Sequence, residues 1–175
     1  MTSLRHRTGQ ALVLLLVAFA IRSPLFGNPV IHSDEQFYLL VGDRLLHGAW
    51  PFVDIFDRKP VGLFLIFAAI RAVGGDGILL YQLAATLCAT ATAFVATRIA
   101  RRFCSPAAAF AAGLFYLVWL VVFDGGGGQA SVWYSLPMAG AGLLAIDGIR
   151  ERRRLSRRGP RFWSAGSRTG WSGPG

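Results

Sequence analysis

Residues 31–40, IHSDEQFYLL, place three side chains capable of acid–base or metal chemistry within four positions. They are His32, Asp34 and Glu35. A carboxylate can act as a general base on an attacking hydroxyl, and a histidine with two carboxylates can bind a divalent metal. Three such residues in one short segment are weak evidence for a metal site. We therefore assign no metal ligand and no certain cofactor. A divalent metal remains an open alternative.

A second polar segment, PFVDIFDRKP at residues 51–60, carries two aspartates followed by two cations, Arg58 and Lys59. Neighbouring cations suit a phosphate group, because arginine can bind two oxygens and lysine acts as a point charge. The alternative is that these cations pair with Asp54 and Asp57 and anchor the segment at lipid headgroups. On the residue types alone, this alternative is favoured.

Both segments lie within a hydrophilic stretch, residues 27–76, between long apolar blocks. The chain is 54% hydrophobic and 15% charged, whereas an average soluble domain carries about a quarter charged residues. Mean hydropathy is +0.48. The formal net charge of +9 comes from short basic clusters beside the apolar blocks, as in cytoplasmic loops of membrane proteins. We therefore expect an all-α polytopic membrane protein with membrane lipids, and no nucleic acid, as partners.

Four apolar blocks are near the length of about 20 residues that a helix needs to cross a bilayer. The block at Val61–Ile70 has about half that length, so it is expected to be an interfacial or re-entrant helix. This arrangement puts every basic cluster on one side, the cytoplasmic one, and residues 27–76 outside. Arg22 lies near the outer end of the first, uncleaved span and is expected to snorkel to the outer face. The predicted spans are residues 9–26, 77–99, 106–123 and 132–149.

The outer loop has helix signals of its own. Ser33 followed by Gln36 fits a capping box and predicts an interfacial helix that begins at Asp34, and Gly48 predicts its end. Asp34 and Glu35 would occupy the first turn, where the helix dipole favours negative charge. Helix capping alone explains these acidic residues about as well as chemistry does.

The order of these features resembles the membrane glycosyltransferases of the GT-C type. An acidic pair after an N-in span is followed by the pattern LLxGxxPFVDxFDxKPxGL. The nearest patterns are the family 39 protein mannosyltransferases, the aminoarabinose transferases of lipid A and the rhizobial lipopolysaccharide-core transferases. The resemblance covers residues from about 10 to 150 and is most specific in DEQFYLLVGDRLLHGAWPFVDIFDRKPVGLFL.

The resemblance implies a donor sugar on a polyprenyl phosphate and an acceptor hydroxyl on a lipid, a glycan or a protein. It maps the catalytic acidic position of the family to Asp34, with Glu35 beside it, and the donor-phosphate contact to Lys59, with Arg58 beside it. Transfer with inversion would occur on the extracytoplasmic side of a bacterial inner membrane. No nucleotide sugar is implied.

The resemblance also implies a second polar group from the next outer turn, and the candidates there are Asp124, Gln129 and Ser131. The adjoining glycine run at residues 125–128 lacks the Gly-Lys-Ser/Thr end of a phosphate loop and predicts a flexible outer turn. An alternative for Arg22 is a contact with the donor phosphate.

The chain is shorter than the family it resembles, so we expect an N-terminal part of such an enzyme, which could be inactive by itself. A noncatalytic membrane protein, either an inactive remnant or a transporter fragment, is the alternative. A transporter would carry ionisable residues inside its spans, and these spans are largely free of them. Residues 150–175 are rich in Arg, Gly and Ser, which predicts a disordered cytoplasmic tail or an artefact of truncation.

Overall fold

The computed structural model describes the backbone of residues 2–157 and the side chains of residues 7–154. Within these residues the chain is helical, with no strand and one isolated bridge between Pro51 and Ile55. The predicted all-α class is confirmed. The helices are α1 (Thr2–Arg22), α2 (Ser33–Leu46), α3 (Val61–Val73), α4 (Gly77–Ala100), α5 (Pro106–Val122) and α6 (Ala130–Arg157), with a short 3-10 helix at Ser23–Leu25 after α1.

Three helices of the described chain are long and apolar enough to cross a membrane. They contain the segments Arg7–Leu25, Gly77–Ala100 and Ala130–Arg154, which overlap three of the four predicted spans. The fourth predicted span is α5, an apolar helix of 17 residues, and its crossing stays a prediction. Helix α3 has 13 residues, too few for about 30 Å of hydrocarbon at 1.5 Å per residue.

The chain divides into two units, residues 1–143 and 144–175. The second unit is described only as the later part of α6, which continues to Arg157. The predicted tail therefore begins with helix rather than disorder, since ERRRLSR consists largely of good helix formers. Residues 158–175 of that tail lie outside the described residues.

Helix α4 is the central element of the first unit and packs against α1, α3 and α5. Its alanines at positions 85, 89 and 93 are fully buried and form one face of the helix. Small residues of this kind let helix backbones approach closely in a membrane. The same cluster includes Leu14 of α1 and Leu117 of α5.

Helices α2 and α3 form a hairpin around buried aromatic side chains. Tyr38 of α2 contacts Phe64 and Phe67 of α3, with ring centroids 6.2 and 5.3 Å apart and edge-on geometry. Phe67 in turn packs on Tyr81 of α4 at 5.6 Å and on Trp133 of α6 at 6.0 Å. The hairpin is therefore fixed to the membrane-length helices through aromatic contacts.

The boundaries of α2 confirm one local prediction and contradict another. Gly48 follows the C-cap His47 and adopts a φ of +90°, a conformation that glycine takes at little cost. The prediction of a capping box at Ser33 is wrong. The helix begins at Ser33, and its N-cap is His32, whose side chain makes no capping hydrogen bond. The Gln36 amide instead donates to the Pro29 carbonyl at 2.7 Å.

We expect the α2–α3 contact to depend on Gly42. A Cβ at this position would lie 2.7 Å from the Ala68 nitrogen and the Phe67 carbonyl carbon, backbone atoms that cannot move aside independently. Gly42→Ala should lower the free energy of unfolding in detergent by about 1–3 kcal/mol. Gly62→Ala in α3 meets nothing within 4 Å and should be neutral or slightly stabilising. Equal stability of the two variants would contradict the packing described here.

Candidate functional site

The first turn of α2 and the residue before α3 bring together two of the predicted site residues. The Lys59 Nζ lies 3.8 Å from Asp34 Oδ2, with 24% of the Lys59 side chain and 51% of the Asp34 side chain exposed. The Tyr38 hydroxyl, one turn further along α2, donates to the same Asp34 oxygen at 3.3 Å. The Lys59 ammonium also lies 5.9 Å from the centre of the Tyr38 ring. A carboxylate, a cation and a phenol thus meet at an open surface.

Local structure fixes both ends of this arrangement. The Asp57 carboxylate accepts a hydrogen bond from the Lys59 backbone nitrogen at 2.7 Å, and Pro60 is the N-cap of α3. Tyr38 is 1% exposed, and burial, followed by the charge of Asp34, raises the pKa of its hydroxyl. The phenol therefore stays protonated and keeps donating to Asp34, which limits the orientations available to that carboxylate.

The other residues of the polar segment do not join this arrangement. Arg58 is exposed and makes no ion pair with any described residue. Asp54 accepts from the Trp50 backbone nitrogen at 2.8 Å, and Asp57 accepts from a backbone nitrogen as well. The predicted pairing of Asp54 and Asp57 with the two cations is therefore wrong, and Lys59 pairs with Asp34 instead. The other part of that alternative, anchoring at lipid headgroups, stays a prediction.

Glu35 points in another direction from its neighbour. Its side chain is fully buried, and the Tyr81 hydroxyl of α4 donates to Glu35 Oε2 at 2.8 Å. Successive residues of a helix point about 100° apart, since 3.6 residues complete a turn, so α2 can expose Asp34 while it buries Glu35. The structure does not bring Glu35 into the arrangement around Lys59.

The glycine run before α6 packs directly on the Glu35 carboxylate. A Cβ at Gly127 would overlap the Glu35 carboxylate, and one at Gly128 would lie 2.6 Å from a ring carbon of Tyr81. Glu35 Oε1 has no hydrogen-bond partner of good geometry, although the Gly128 amide faces the carboxylate. Burial raises the pKa of Glu35, against the opposing effects of the Tyr81 hydroxyl, the Gly128 amide and the charges of His32 and Arg22.

Arg22 holds the other side of this glycine turn and is only 2% exposed. Its Nε donates to the Thr86 hydroxyl at 3.0 Å, one terminal nitrogen donates to the Gly125 carbonyl at 2.5 Å, and the other donates to the Gly127 carbonyl. The predicted snorkelling of Arg22 is wrong, because its side chain is buried, while the alternative of a donor-phosphate contact stays a prediction. A buried guanidinium is tolerated here because its donors find acceptors.

The glycine turn itself also differs from its prediction. All four glycines at 125–128 are buried, and the Trp133 indole nitrogen donates to the Gly128 carbonyl at 2.8 Å. Three carbonyls of the turn therefore have side-chain donors. The run, predicted to be a flexible outer turn, is instead a buried packing element that only residues without a side chain can form.

The candidates for a second polar group stay apart from Asp34 and Lys59. Asp124 is exposed, with a φ of +59°, Gln129 is half-buried and Ser131 is exposed. None of the three makes a hydrogen bond or ion pair to Asp34 or Lys59. Among the described residues, no three His, Cys, Asp or Glu side chains are placed to hold a metal ion. The trio that suggested a metal does not converge, since Glu35 turns inward.

Comparison with curated proteins finds similarity to the undecaprenyl phosphate-alpha-4-amino-4-deoxy-L-arabinose arabinosyl transferase 2 of Pseudomonas fluorescens. The two chains are 31% identical over 158 residues, which is 83% of this chain and 27% of the relative. This chain thus spans about a quarter of the length of that transferase. No family model matches the chain, and no solved structure matches it.

We expect Arg22 to be the most sensitive charged position for stability. Arg22→Met leaves two buried carbonyls and a hydroxyl without their donor, and each unpaired group costs about 1–3 kcal/mol. The free energy of unfolding in detergent should fall by about 3 kcal/mol or more. The matched control, Arg44→Met on the exposed side of α2, should change it by less than about 0.5 kcal/mol. A similar loss in both variants would contradict the buried role of Arg22.

The raised pKa of Glu35 predicts a pH-dependent stability. Between the ordinary glutamate value of 4.5 and the raised folded value, the folded chain holds more protons than the unfolded one. The contribution of Glu35 is therefore fully present below pH 4.5 and is lost as the pH rises through the folded pKa. Melting curves from pH 4 upward should show Glu35→Gln gaining stability relative to wild type. A difference that stays constant with pH would contradict the assignment.

Proposed function

We propose that this chain is part of a glycosyltransferase that takes its sugar from a polyprenyl-phosphate carrier at the outer face of a bacterial inner membrane. The observation that carries the proposal is the contact of Asp34 with Lys59 at 3.8 Å. A base for the acceptor and a cation for the leaving phosphate are the two groups that such a transfer needs. The similarity to an undecaprenyl-phosphate-dependent arabinosyl transferase supports the same chemistry.

The proposed reaction is one inverting displacement. The acceptor hydroxyl gives its proton to the Asp34 carboxylate while its oxygen forms a bond to the anomeric carbon. The bond between that carbon and the phosphate oxygen breaks, and the electron pair leaves with the lipid phosphate. Lys59 stabilises the negative charge that develops there, and Arg58, exposed beside it, offers a further contact to the phosphate.

The ion pair suggests how the donor would engage this site. In the free chain Lys59 and Asp34 are each other's partners. A carrier phosphate that binds Lys59 competes with the Asp34 carboxylate and releases it to accept a proton. Tyr38 would then keep the carboxylate in place through its hydrogen bond. The partners in this proposal are the carrier lipid and an acceptor lipid, glycan or protein.

Glu35 is assigned a different role from the one expected. Its contacts are the Tyr81 hydroxyl and the glycine turn, so we propose that it positions the first turn of α2 and touches no substrate. The carboxylates of Asp34 and Glu35 therefore cannot replace each other. A carboxylate at position 34 is needed at the surface, and the one at position 35 is needed inside.

The test uses the full chain in membranes with labelled undecaprenyl phosphate-4-amino-4-deoxy-L-arabinose. Asp34→Asn should retain the carrier lipid but lower transfer about 10²–10⁴-fold, the usual contribution of a positioned base. Lys59→Ala should weaken carrier retention about 10–100-fold, since a charge-assisted hydrogen bond contributes about 1.5–3 kcal/mol. Glu151 is exposed on α6 in the second unit, so the control variant Glu151→Gln should show wild-type transfer and wild-type carrier retention.

The outcomes separate the competing interpretations. Equal transfer by wild type and Asp34→Asn would end the catalytic role of Asp34. Carrier retention that depends on Lys59, without transfer by any form of the chain, would favour the noncatalytic membrane protein. Retention that is indifferent to Lys59 would remove the phosphate site.

A further inference from the structure

A second cluster of cations lies far along the molecule from Asp34 and Lys59. A cavity of about 150 Å³ between α1 and α4 is lined by four arginines, Arg7, Arg98, Arg101 and Arg102, together with Gln10, Thr97 and Phe94. Arg98 lies almost five helical turns beyond Tyr81, about 25 Å along α4. The cavity therefore lies at the end of the α1–α4 pair opposite the glycine turn. The proposed glycosyl transfer uses none of its residues.

The cavity is lined by positively charged and neutral side chains of the described chain. None of its lining residues is a carboxylate, and no ion pair within 4.0 Å joins Arg7, Arg98 or Arg101 to a described acidic residue. The Gln10 carboxamide makes no side-chain hydrogen bond within the described chain. The Thr97 hydroxyl is committed to the Ala93 carbonyl at 3.0 Å. Donors thus dominate the surface of the cavity, and like charges face one another across it.

The size and shape of these groups define the ligand. A volume of about 150 Å³ corresponds to about five water molecules and is well below the 300–1,000 Å³ of drug-sized sites. It suits one small anion. Guanidinium groups present paired donors that match two oxygens of a phosphate, and an anion would also relieve the repulsion among the arginines.

The position of the cavity indicates the source of that anion. Both α1 and α4 contain segments long enough to cross a bilayer, and the arginines lie at the ends of these segments. The ends of a membrane-crossing helix are where lipid headgroups are expected. Phe94 gives the cavity an apolar wall on the side of the membrane interior. Arginines next to membrane spans can also serve only to set the orientation of the spans. That role does not explain why these arginines line a cavity between two helices. Basic pockets between membrane helices are suited to anionic headgroups.

We propose that this cavity binds the phosphate group of an anionic membrane lipid and so ties the paired ends of α1 and α4 together. The proposal is independent of the transferase chemistry at Asp34. The shared chemistry is a phosphate ester or phosphate ion, and the experiment distinguishes a lipid from a soluble source. The site involves Arg7 and Arg98 from different helices, so an occupied site should stabilise the helix pair.

The experiment measures retention of single lipids by the purified full chain in nonionic detergent, using native mass spectrometry. Dioleoylphosphatidylglycerol should be retained, and dioleoylphosphatidylcholine should bind at least tenfold more weakly. Arg98→Gln with Arg101→Gln should lower phosphatidylglycerol affinity at least tenfold. Arg44→Gln, an exposed arginine at the other end of the first unit, is the matched control and should leave lipid retention unchanged.

Two further measurements guard against loss of the fold. Arg98→Lys with Arg101→Lys keeps the charge but loses the paired donors, so its affinity should be intermediate. For the wild type, raising NaCl from 50 to 500 mM should weaken retention, because salt screens exposed charges.

If inorganic phosphate alone raises the melting temperature and the same substitutions abolish that effect, the source is a soluble anion. Equal affinity for both lipids, or phosphatidylglycerol affinity indifferent to the Gln substitutions and to salt, would overturn the proposal.

Discussion

A buried arginine organises the first unit of this protein. The Arg22 guanidinium lies at the end of α1 and reaches the Thr86 hydroxyl of α4 and two carbonyls of the glycine turn before α6. A charge inside a protein is tolerated only when its hydrogen-bond donors have acceptors. Helix α1, helix α4 and the glycine turn must therefore stay in contact for Arg22 to remain buried. Glycines form the turn because its backbone comes against the Glu35 carboxylate and the Tyr81 ring, where a Cβ would collide.

The same network determines which face of α2 reaches the surface. Glu35 is held inside by Tyr81 and by the glycine turn, and this fixes the rotation of α2 about its axis. Asp34 then faces outward and meets Lys59, which arrives from the loop before α3. The acidic pair of the sequence is thus divided into one buried and one exposed carboxylate. The proposed chemistry needs only the exposed one, while the buried one gives it a defined position.

Some of this could be predicted from the sequence and some could not. Apolar blocks predict the helices well, because their length and composition are local properties, and the charged residues between them indicate Asp34 and Lys59. The role of Arg22 could not be predicted, since an arginine at the end of an apolar block can snorkel or be buried. The choice depends on acceptors 64 to 105 positions away. The inward turn of Glu35 likewise depends on Tyr81, 46 positions later. A run of four glycines suggests a flexible loop until the groups that pack on it are known.

The most direct measurement concerns the side of the membrane on which Asp34 lies. In a chain with Cys88 and Cys104 replaced by serine, intact bacteria carrying Asp34→Cys or Arg101→Cys would be treated with a membrane-impermeant maleimide. Labelling is expected at position 34, slowed by added undecaprenyl phosphate, and at position 101 only after the cells are permeabilised. Labelling at position 101 in intact cells, with position 34 protected, would contradict this orientation.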